Sequence, residues 1–367
     1  MLRRRRTLAG PQSPHCVVDG TPCLAFCSND YLGLANHPQL VSALQQGAGR
    51  WGVGAGAAHL VSGHFAAHQQ FEAEFAAFAA KPAALLFSTG YMANLGAVQA
   101  LAGKNDTIFA DKLNHASLND AMLLSRAEVK RYRHGDMAQL ARLLETAARG
   151  RKLIITDAVF SMDGDVASLP ELLALCERHD AWLLVDDAHG FGVLGEQGRG
   201  ALAHFGLQSP RIIYMATLGK AAGVSGAIVA AEQVVIDTLV NHARSYVYTT
   251  AAPPALACAL SRSLELIAQG DALRARLQQS IAQLRRGLSG LPWKLMPSST
   301  AIQPLLVGDN QQALQLSEAL RARGIWVPAI RPPTVPPGTA RLRITLSAAH
   351  SEAEVAQLTE ALHELAH

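Results

Sequence analysis

The sequence has little charge and few cysteines, and it lacks any long hydrophobic run. Only 17% of its 367 residues are charged, and the formal net charge is +3, which is too small to indicate a nucleic-acid partner. No run of about 18 or more apolar residues occurs, so no membrane span is predicted. Arg3 to Arg6 follow the start, but the apolar stretch of a secretory signal does not come after them. These absences favour a cytoplasmic enzyme.

The cysteines do not form a pattern that indicates a structural site. There are five of them, an odd number, and no two have the CxxC spacing of a zinc or redox site. They are Cys16, Cys23, Cys27, Cys176 and Cys258. We therefore expect reduced thiols, with neither a disulfide framework nor a bound metal.

Hydrophobic residues make up 49% of the chain, enough for a large buried core and, at this length, two domains. Near-continuous apolar runs predict buried strands at 84–90, 107–111, 152–160, 182–189 and 211–220. Helix-length segments lie between them at 92–102, 115–126, 136–149 and 168–180. This alternation predicts an α/β domain with a parallel sheet covered on both faces.

After Tyr248 the pattern changes to that of a smaller α+β domain. We predict a loop, one long helix to about Gly290, and a final helix that opens with a capping box formed by Ser351 and Glu354. Between these helices the predicted elements are a strand at 301–308, a helix at 311–323, a short strand at 325–330, a proline-rich loop and a strand at 341–347. The predicted organisation is an N-terminal segment at 1–40, a large domain at 41–250 and a small domain at 251–367.

Lys220 follows a predicted strand and has small residues on both sides. A lysine at a strand end is usually a solvated surface residue. A desolvated lysine amine can instead form a Schiff base with an aldehyde cofactor, and glycine-rich surroundings leave room for a planar ring. Thr217, three residues earlier, can offer its hydroxyl to a cofactor phosphate.

Asp186, Asp187 and His189 close the strand that contains WLLV. Buried carboxylates are costly without partners, and the nitrogen of a pyridinium ring is one such partner. We assign that role to Asp186 and place His189 near the phenolic oxygen of the ring. A metal site or a structural salt bridge is the alternative, and the tetrapeptide alone leaves both open.

Ser88, Thr89, Gly90 and Tyr91 stand between a strand and a helix. Free backbone N–H groups and the positive end of the helix dipole make such a position suitable for a phosphate, although an ordinary helix N-cap gives the same pattern. Parallel sheets gather ligands at the carboxyl ends of their strands, and all of these polar clusters follow predicted strands.

Two further polar positions are less specific. His115 opens a predicted helix, where an imidazole can stack on a planar ring; a lone histidine there is more often a cap or a surface residue. Ser161 begins the turn SMDGD after a strand and could hydrogen-bond the same ring.

The motifs STGY, NHAS, FSMDGD, DDAHGFGVLGEQGRG and TLGKAAGVSG together resemble the α-oxoamine synthases in order and spacing. These are pyridoxal-phosphate enzymes of fold type I, and the resemblance covers nearly the whole chain. It implies a large domain with a mostly parallel sheet of the seven-stranded type covered by helices, and a smaller C-terminal α+β domain. It also implies a homodimer with shared active sites and pyridoxal 5'-phosphate as the cofactor.

The resemblance assigns roles to residues at matching positions. The catalytic residues would be Lys220, His115, Asp186 and His189. The cofactor would be bound by Gly90, Tyr91, Ser161, Asp186, His189, Thr217 and Lys220, with Thr250 from the partner subunit. The substrates would be bound by Arg3, Asn29, His115, Arg331 and Thr334. Arg331 would grip a substrate carboxylate through two parallel hydrogen bonds.

Within the family, SNDYLGL, AIQPLLVGDN and AIRPPTVPPGTARLRITLSAAH resemble the member that joins L-alanine to a pimeloyl thioester with loss of carbon dioxide in biotin synthesis. The acyl carrier would be an acyl carrier protein or coenzyme A. As a hypothesis, the arginines at 3–6, Arg321, Arg323, Arg341 and Arg343 would present basic surface to it.

Three alternatives stay open. They are a sister enzyme that uses glycine or serine with another acyl thioester, an aminotransferase on the same fold, and a non-catalytic module. The chain also departs from the family pattern at two places. Ala55, Ala57 and Ala58 stand where serine and glycine are frequent, and Asp157 stands where glutamate is frequent.

Overall fold

The structure is a computed structural model that describes residues 5–146 and 150–366. Arg3, one of the predicted substrate-binding residues, lies outside the described residues. The chain divides into two compact units. The larger comprises Pro38–Phe160 and Val166–Gly270, and the smaller comprises the residues up to His37, Ser161–Asp165 and those from Asp271 onward. The domain boundaries at residues 40 and 250 stay a prediction.

The elements of the described residues are as follows. The strands are β1 His15–Val18, β2 Thr21–Ala25, β3 Ala83–Phe87, β4 Thr107–Asp111, β5 Glu128–Tyr132, β6 Lys152–Asp157, β7 Ala181–Asp186, β8 Ile212–Thr217, β9 Ala227–Ala231, β10 Lys294–Leu295, β11 Ile302–Gly308, β12 Ile325–Trp326, β13 Ala329–Ile330 and β14 Ala340–Thr345. The helices are α1 Pro38–Trp51, α2 Ala66–Phe78, α3 Gly90–Leu101, α4 Ala116–Ser125, α5 Met137–Glu145, α6 Leu169–Arg178, α7 Ala201–His204, α8 Gln233–His242, α9 Arg244–Val247, α10 Pro254–Ala268, α11 Asp271–Gly287, α12 Asn310–Ala322 and α13 Glu352–Ala366.

In the larger unit the described strands form a seven-stranded sheet in the order β3-β9-β8-β7-β6-β4-β5. The neighbours from β8 to β5 are parallel, whereas β9 runs antiparallel to both β3 and β8. This mixed, mostly parallel sheet confirms the predicted α/β class and all five predicted strands. The sequence missed β5 and β9. β5 is an edge strand with mostly polar residues, so it lacks the apolar run of a central strand. β9 is a buried apolar run of five residues, AIVAA, that sequence reasoning did not recognise as a strand.

Helices cover both faces of this sheet. On one face, Leu184 of β7 and Met215 of β8 belong to a core cluster that includes Ala93 of α3 and Leu118 of α4. On the other face, the ring of Tyr214 stacks on Phe75 of α2, and Phe75 also contacts Phe191, which follows β7. Successive strand residues point to opposite faces of a sheet. Asp186 therefore lies on the same face as Leu184, and Asp187 lies on the same face as Tyr214.

The described strands of the smaller unit form the sheets β1-β2-β12 and β10-β11-β14-β13. The capping box of α13 is confirmed: Ser351 N–H donates to Glu354 Oε2 at 2.6 Å, and Glu354 N–H donates to Ser351 Oγ at 3.3 Å. The α+β character of this part of the chain is also as predicted.

Two predicted elements of the C-terminal part are wrong in detail. The single long helix to Gly290 is two helices, α10 and α11, which are separated at Gln269 and Gly270. The predicted strand at 325–330 is two short strands, because β12 pairs with β2 and β13 pairs with β14. Pro328 lies between them, and proline has no N–H to continue a ladder.

Two findings bear on the expectations from composition. Among the described helices, none combines the length and the apolar character that crossing a membrane requires. All five cysteines lie in the described ranges, and none is joined to another by a disulfide in this structure.

Candidate active site

Lys220 points toward the end of the neighbouring strand. It follows β8 by three residues, is half-buried, and its Nζ lies 2.8 Å from Nε2 of His189, which follows β7. An ammonium group only donates, so His189 Nε2 accepts this hydrogen bond when the lysine is charged. Parallel pairing of β7 and β8 brings their carboxyl ends side by side, which is why residues 31 positions apart meet.

Asp186 is the last residue of β7 and is buried. Its Oδ2 accepts a hydrogen bond of 2.7 Å from Nδ2 of Asn94 on α3, and its Oδ1 accepts one of 3.0 Å from the N–H of Ala188. The carboxylate is thus held from two directions. This is the rigidity that a partner of a pyridinium nitrogen needs.

His115 is the N-cap of α4. Its Nδ1 lies 2.7 Å from Oγ of Ser117 and accepts a hydrogen bond of 3.2 Å from the N–H of Ser117. Burial lowers the pKa of the His115 imidazole; the Asp186 carboxylate opposes this shift and the Lys220 ammonium adds to it. His115 is therefore a neutral imidazole at neutral pH, with one nitrogen facing its own helix.

Asp157 ends β6 in register with Asp186 on β7. Its Oδ2 accepts a hydrogen bond of 2.7 Å from the backbone N–H of His115. Burial raises the pKa of the Asp157 carboxyl well above its usual range, and the nearby Asp186 carboxylate raises it further. The aspartate that replaces the family's frequent glutamate thus reaches the backbone of the N-cap residue and helps to place His115.

The predicted phosphate position has the geometry of a helix N-terminus. Thr89 is the N-cap of α3, and its Oγ1 accepts a hydrogen bond of 3.1 Å from Met92 N–H. Gly90 and Tyr91 open the helix, where backbone N–H groups have no partner within the helix. A Cβ added at Gly90 would lie 3.5 Å from Thr217 Oγ1, so the two predicted phosphate contacts face each other.

Two other predicted cofactor residues, Tyr91 and Thr250, are exposed in the structure. The hydroxyl of Tyr91 donates to the Asp120 carboxylate, a bond that raises the pKa of the Tyr91 phenol, and the ring is exposed. Thr250 is exposed in the loop after α9. The next residue, Ala251, donates to the carbonyl of Ala57 at 3.0 Å, so the alanine-rich segment with Ala55 and Ala58 packs against this loop.

In the smaller unit, Arg343 joins two predicted site residues. Its Nε donates to the carbonyl of Ser161 at 2.6 Å, and both terminal nitrogens lie 3.4 Å from Oδ1 of Asn29. Arg331 and Thr334 lie in the loop after β13, where Thr334 N–H donates to the Arg331 carbonyl at 3.0 Å. The site roles of these four residues stay predictions.

The hypothesis of a basic surface for an acyl carrier is wrong for Arg341 and Arg343. Both are buried, with 3% and 7% of their surface exposed. Arg341 binds the Asp163 carboxylate and the Met162 carbonyl, so both arginines hold the turn that starts at Ser161. The other two C-terminal arginines of this hypothesis form ion pairs, Arg321 with Asp19 at 3.8 Å and Arg323 with Glu364 at 3.6 Å.

Asn94 and Ser117 are the site residues that sequence reasoning missed. Both are buried, with 1% of their surface exposed, and the Asn94 amide nitrogen contacts both Ser117 Oγ and Asp186 Oδ2. The sequence did contain one sign of this. Asn94 is the one amide side chain in the mostly apolar first two turns of α3, and a buried amide requires a partner.

A group of three histidines lies elsewhere in the larger unit. The side-chain nitrogens of His59, His64 and His68 lie within 4.8 Å of one another, and Nδ1 of His59 is 3.0 Å from Nδ1 of His64. Both nitrogens of His68 already have backbone partners, the N–H of Phe65 and the carbonyl of Ala252. That leaves two histidines, His59 and His64, fewer than the three or four protein ligands of a usual zinc site.

The larger unit fits pyridoxal 5'-phosphate on its own chemistry. A half-buried amine and a firmly held carboxylate lie at the adjacent ends of β8 and β7, and an imidazole with a lowered pKa lies near both of them. A helix N-terminus faces a threonine hydroxyl. The amine suits the aldehyde, the carboxylate suits the ring nitrogen and the helix N-terminus suits the phosphate.

Comparison with known proteins agrees with this chemistry. The family model described as "Aminotransferase class I and II" matches residues 21–362. The 8-amino-7-oxononanoate synthase of Nitrosospira multiformis is 62% identical over 365 residues, 100% of this chain and 92% of that protein. The enzyme of the same name from Dechloromonas aromatica is 60% identical over 100% of this chain and 96% of its own length.

Solved structures of similar proteins have the same fold as this chain. The serine palmitoyltransferase of Sphingomonas wittichii has a TM-score of 0.94 at 30% identity, covering 98% of this chain and 91% of that one. The 8-amino-7-oxononanoate synthase of Francisella tularensis has a TM-score of 0.82 at 33% identity, covering 94% of this chain and 97% of that one. The fold and the family resemblance predicted from the motifs are confirmed.

Proposed function

The chain belongs to the aminotransferase class I and II family, and from that membership and the geometry of the site we propose that it joins L-alanine to a pimeloyl thioester. The products would be 8-amino-7-oxononanoate, carbon dioxide and the free thiol, in biotin synthesis. The reaction class follows from the family, in which the chain is a pyridoxal-phosphate-dependent transferase.

One observation carries the proposal: Lys220 Nζ lies beside His189, one strand end away from an Asp186 carboxylate that two donors hold in place. When bound, pyridoxal 5'-phosphate supplies a ring that accepts the electrons of a broken Cα bond. Lys220 would hold the aldehyde carbon, Asp186 would pair with the ring nitrogen, and His189 would face the phenolic oxygen. Gly90, Tyr91 and Thr217 would receive the phosphate.

Lys220 also moves the proton in this proposal. The Lys220 amine, when it no longer holds the aldehyde, would remove the proton from the alanine Cα. The Cα then bonds to the thioester carbon as the thiolate leaves. The bond to the carboxyl group breaks with release of carbon dioxide, and Lys220 returns a proton to the same carbon. His115 would lie against the ring and donate a hydrogen bond to the substrate.

Substrate contacts and assembly belong to the same proposal. Arg331 would bind the alanine carboxylate, and Asn29, Thr334 and Arg3 would lie along the acyl path. The acyl carrier would be an acyl carrier protein or coenzyme A. Thr250 would act from the partner subunit of a homodimer, and the enzyme would work in the cytoplasm.

A sister condensation is the second candidate, and a specific observation favours it. The serine palmitoyltransferase of Sphingomonas wittichii superposes with a TM-score of 0.94, above the 0.82 of the Francisella tularensis synthase. The 57–62% identity to curated proteins named 8-amino-7-oxononanoate synthase supports the first candidate instead. The cofactor residues would serve both reactions, so the substrates must decide.

The test compares substrates on the purified enzyme loaded with pyridoxal 5'-phosphate. Pimeloyl, acetyl and palmitoyl thioesters are each combined with alanine, glycine and serine, and thiol release is followed. We expect the highest kcat/KM with alanine and pimeloyl thioester, together with a change in the visible spectrum on adding alanine alone. A preference for serine with the palmitoyl thioester would establish the sister reaction, and accumulation of pyridoxamine phosphate would indicate an aminotransferase.

A further inference from the structure

The amide of Asn94 is shared between the two sides of the candidate site. Its Nδ2 donates to Asp186 Oδ2 at 2.7 Å and to Ser117 Oγ at 2.9 Å, which uses both amide hydrogens. Asn94 lies on α3 and Ser117 in the first turn of α4, so the amide links these two helices to the end of β7.

The orientation of this amide follows from its partners. An ionised carboxylate only accepts hydrogen bonds, so the Asn94 atom closest to Asp186 must be the nitrogen. The opposite atom, Oδ1, is buried and has no hydrogen-bond partner among the described residues. An unpaired buried carbonyl is costly. This orientation directs both amide hydrogens of Asn94 to acceptors, one on Asp186 and one on Ser117.

The direction of the next bonds follows from the first. Ser117 Oγ accepts from Asn94, and its own hydrogen can then point to Nδ1 of His115 at 2.7 Å. The backbone N–H of Ser117 also donates to that nitrogen at 3.2 Å. Nδ1 of His115 is therefore an acceptor. A neutral imidazole carries one proton, so that proton is on Nε2.

We propose that Asn94 is a positioning residue that holds the Asp186 carboxylate in place for the cofactor nitrogen and, through Ser117, fixes His115 as a hydrogen-bond donor at Nε2. This inference rests on the proposed function for its consequence in the reaction. In its neutral form His115 cannot take a proton at Nε2, so it donates a hydrogen bond to the substrate and leaves proton removal to Lys220.

The first experiment is a double-mutant cycle on cofactor affinity. The affinity of the apo chain for pyridoxal 5'-phosphate is measured for the wild type, Asn94→Ala, Asp186→Ala and the double variant. We expect Asn94→Ala to weaken binding by about tenfold or more, because a hydrogen bond to a charged group is lost. In the Asp186→Ala background the same change should have less than about a twofold effect.

The cycle separates positioning from mere structural support. A structural role would weaken binding equally in both backgrounds, and that additive result would overturn the inference. Asn119→Ala is the matched control, since its amide donates to the Asn114 carbonyl rather than to an acid, and its effect should be additive with Asp186→Ala. If Asn94→Ala fails to fold by circular dichroism, Asn94→Ser replaces it in the same cycle.

The second experiment reads the tautomer directly and needs no activity. Nitrogen-15 histidine labelling and long-range proton–nitrogen correlation of the apo chain report which nitrogen of His115 is protonated, with His115→Gln assigning the signal. We expect the Nε2–H form in the wild type and a larger share of Nδ1–H in Ser117→Ala. An Nδ1–H form in the wild type would disprove the hydrogen-bond direction, whatever the substrate. If the wild-type chain shows the Nε2–H form of His115 but binds no pyridoxal 5'-phosphate, the proposed function is disproved and the hydrogen-bond direction is not.

Discussion

Two neighbouring aspartates at the end of β7 lie in opposite surroundings. Asp186 is held by the Asn94 amide and the Ala188 N–H on the face that carries α3 and α4. Asp187 is fully buried on the other face, where its Oδ2 accepts hydrogen bonds from Ala201 N–H at 2.7 Å and from the Tyr214 hydroxyl at 2.8 Å. The alternation of side chains along a strand gives identical groups different tasks. In the proposed function the Asp186 carboxylate serves a ligand, whereas the Asp187 carboxylate stabilises the fold.

The surroundings of Asp187 leave no space for a ligand. A Cβ added at Gly190 would lie 2.1 Å from Asp187 Oδ1, and one added at Gly200 would lie 2.1 Å from Oδ2. Burial raises the pKa of the Asp187 carboxyl to about 7. Because the backbone at Gly190 and at Gly200 packs against both carboxylate oxygens, Asp187 is a structural residue.

The largest expected effect comes from removing the Lys220 amine, which lies on the Asp186 side of the comparison. Lys220→Ala should lower kcat/KM by about a thousandfold or more, because both the covalent hold on the cofactor and the proton transfer are lost. Thermal unfolding should change little, since the side chain is only half-buried. Lys104→Ala, at an exposed position, is the control and should keep full activity. Undiminished activity of Lys220→Ala would show the assignment to be wrong.

The second effect compares the two aspartates directly. Asp186→Asn should lower kcat/KM by about a hundredfold with little change in stability, because the charge opposite the ring nitrogen is removed. Asp187→Ala should instead cost about 2–4 kcal/mol of unfolding free energy, because Tyr214 and Ala201 lose a buried partner. Urea unfolding and steady-state rates measure both. The contrast fails if the two variants lose activity and stability in the same proportion.

The third effect probes the backbone around Asp187. Gly200 has a φ of +91°, and a Cβ there would meet Asp187 Oδ2 and the Tyr214 hydroxyl, so Gly200→Ala should cost about 3 kcal/mol or more. Gly206 has a φ of +64° with nothing within 4 Å of its added Cβ. Gly206→Ala should therefore cost only about 1 kcal/mol of backbone strain. Equal costs in urea unfolding would mean that the contact with Asp187 is unimportant.

The smallest effect is in the pH dependence of stability. The pKa of Asp187 is raised from 3.8 to about 7 on folding, so the folded chain holds this proton more tightly than the unfolded one. The stabilising contribution is complete below about pH 4 and is lost as the pH rises through about 7. Asp187→Asn removes this titration and should flatten the fall in unfolding free energy over that window. Parallel curves for both proteins would contradict a buried, titrating Asp187.

Sequence reasoning predicted the chemistry that lies in contiguous motifs. Lys220, Asp186 and His189 each follow an apolar run, and the capping box of Ser351 and Glu354 is a local pattern, so each could be read without the fold. Arg341 and Arg343 were misread because an arginine looks the same in sequence whether it meets solvent or a turn of the chain. Asn94 was missed because its partners are 23 and 92 residues away.

The sequence by itself determined the α/β class, the order of most strands along the chain and the candidate reactive groups, because hydrophobic periodicity and local motifs depend only on near neighbours. Only the tertiary structure decided which residues hold the Asp186 carboxylate, which groups lie against Nδ1 of His115, and which arginines are buried. Each of these depends on hydrogen bonds and packing between segments far apart in the chain, and such partners come together only when the sheet and its helices have assembled.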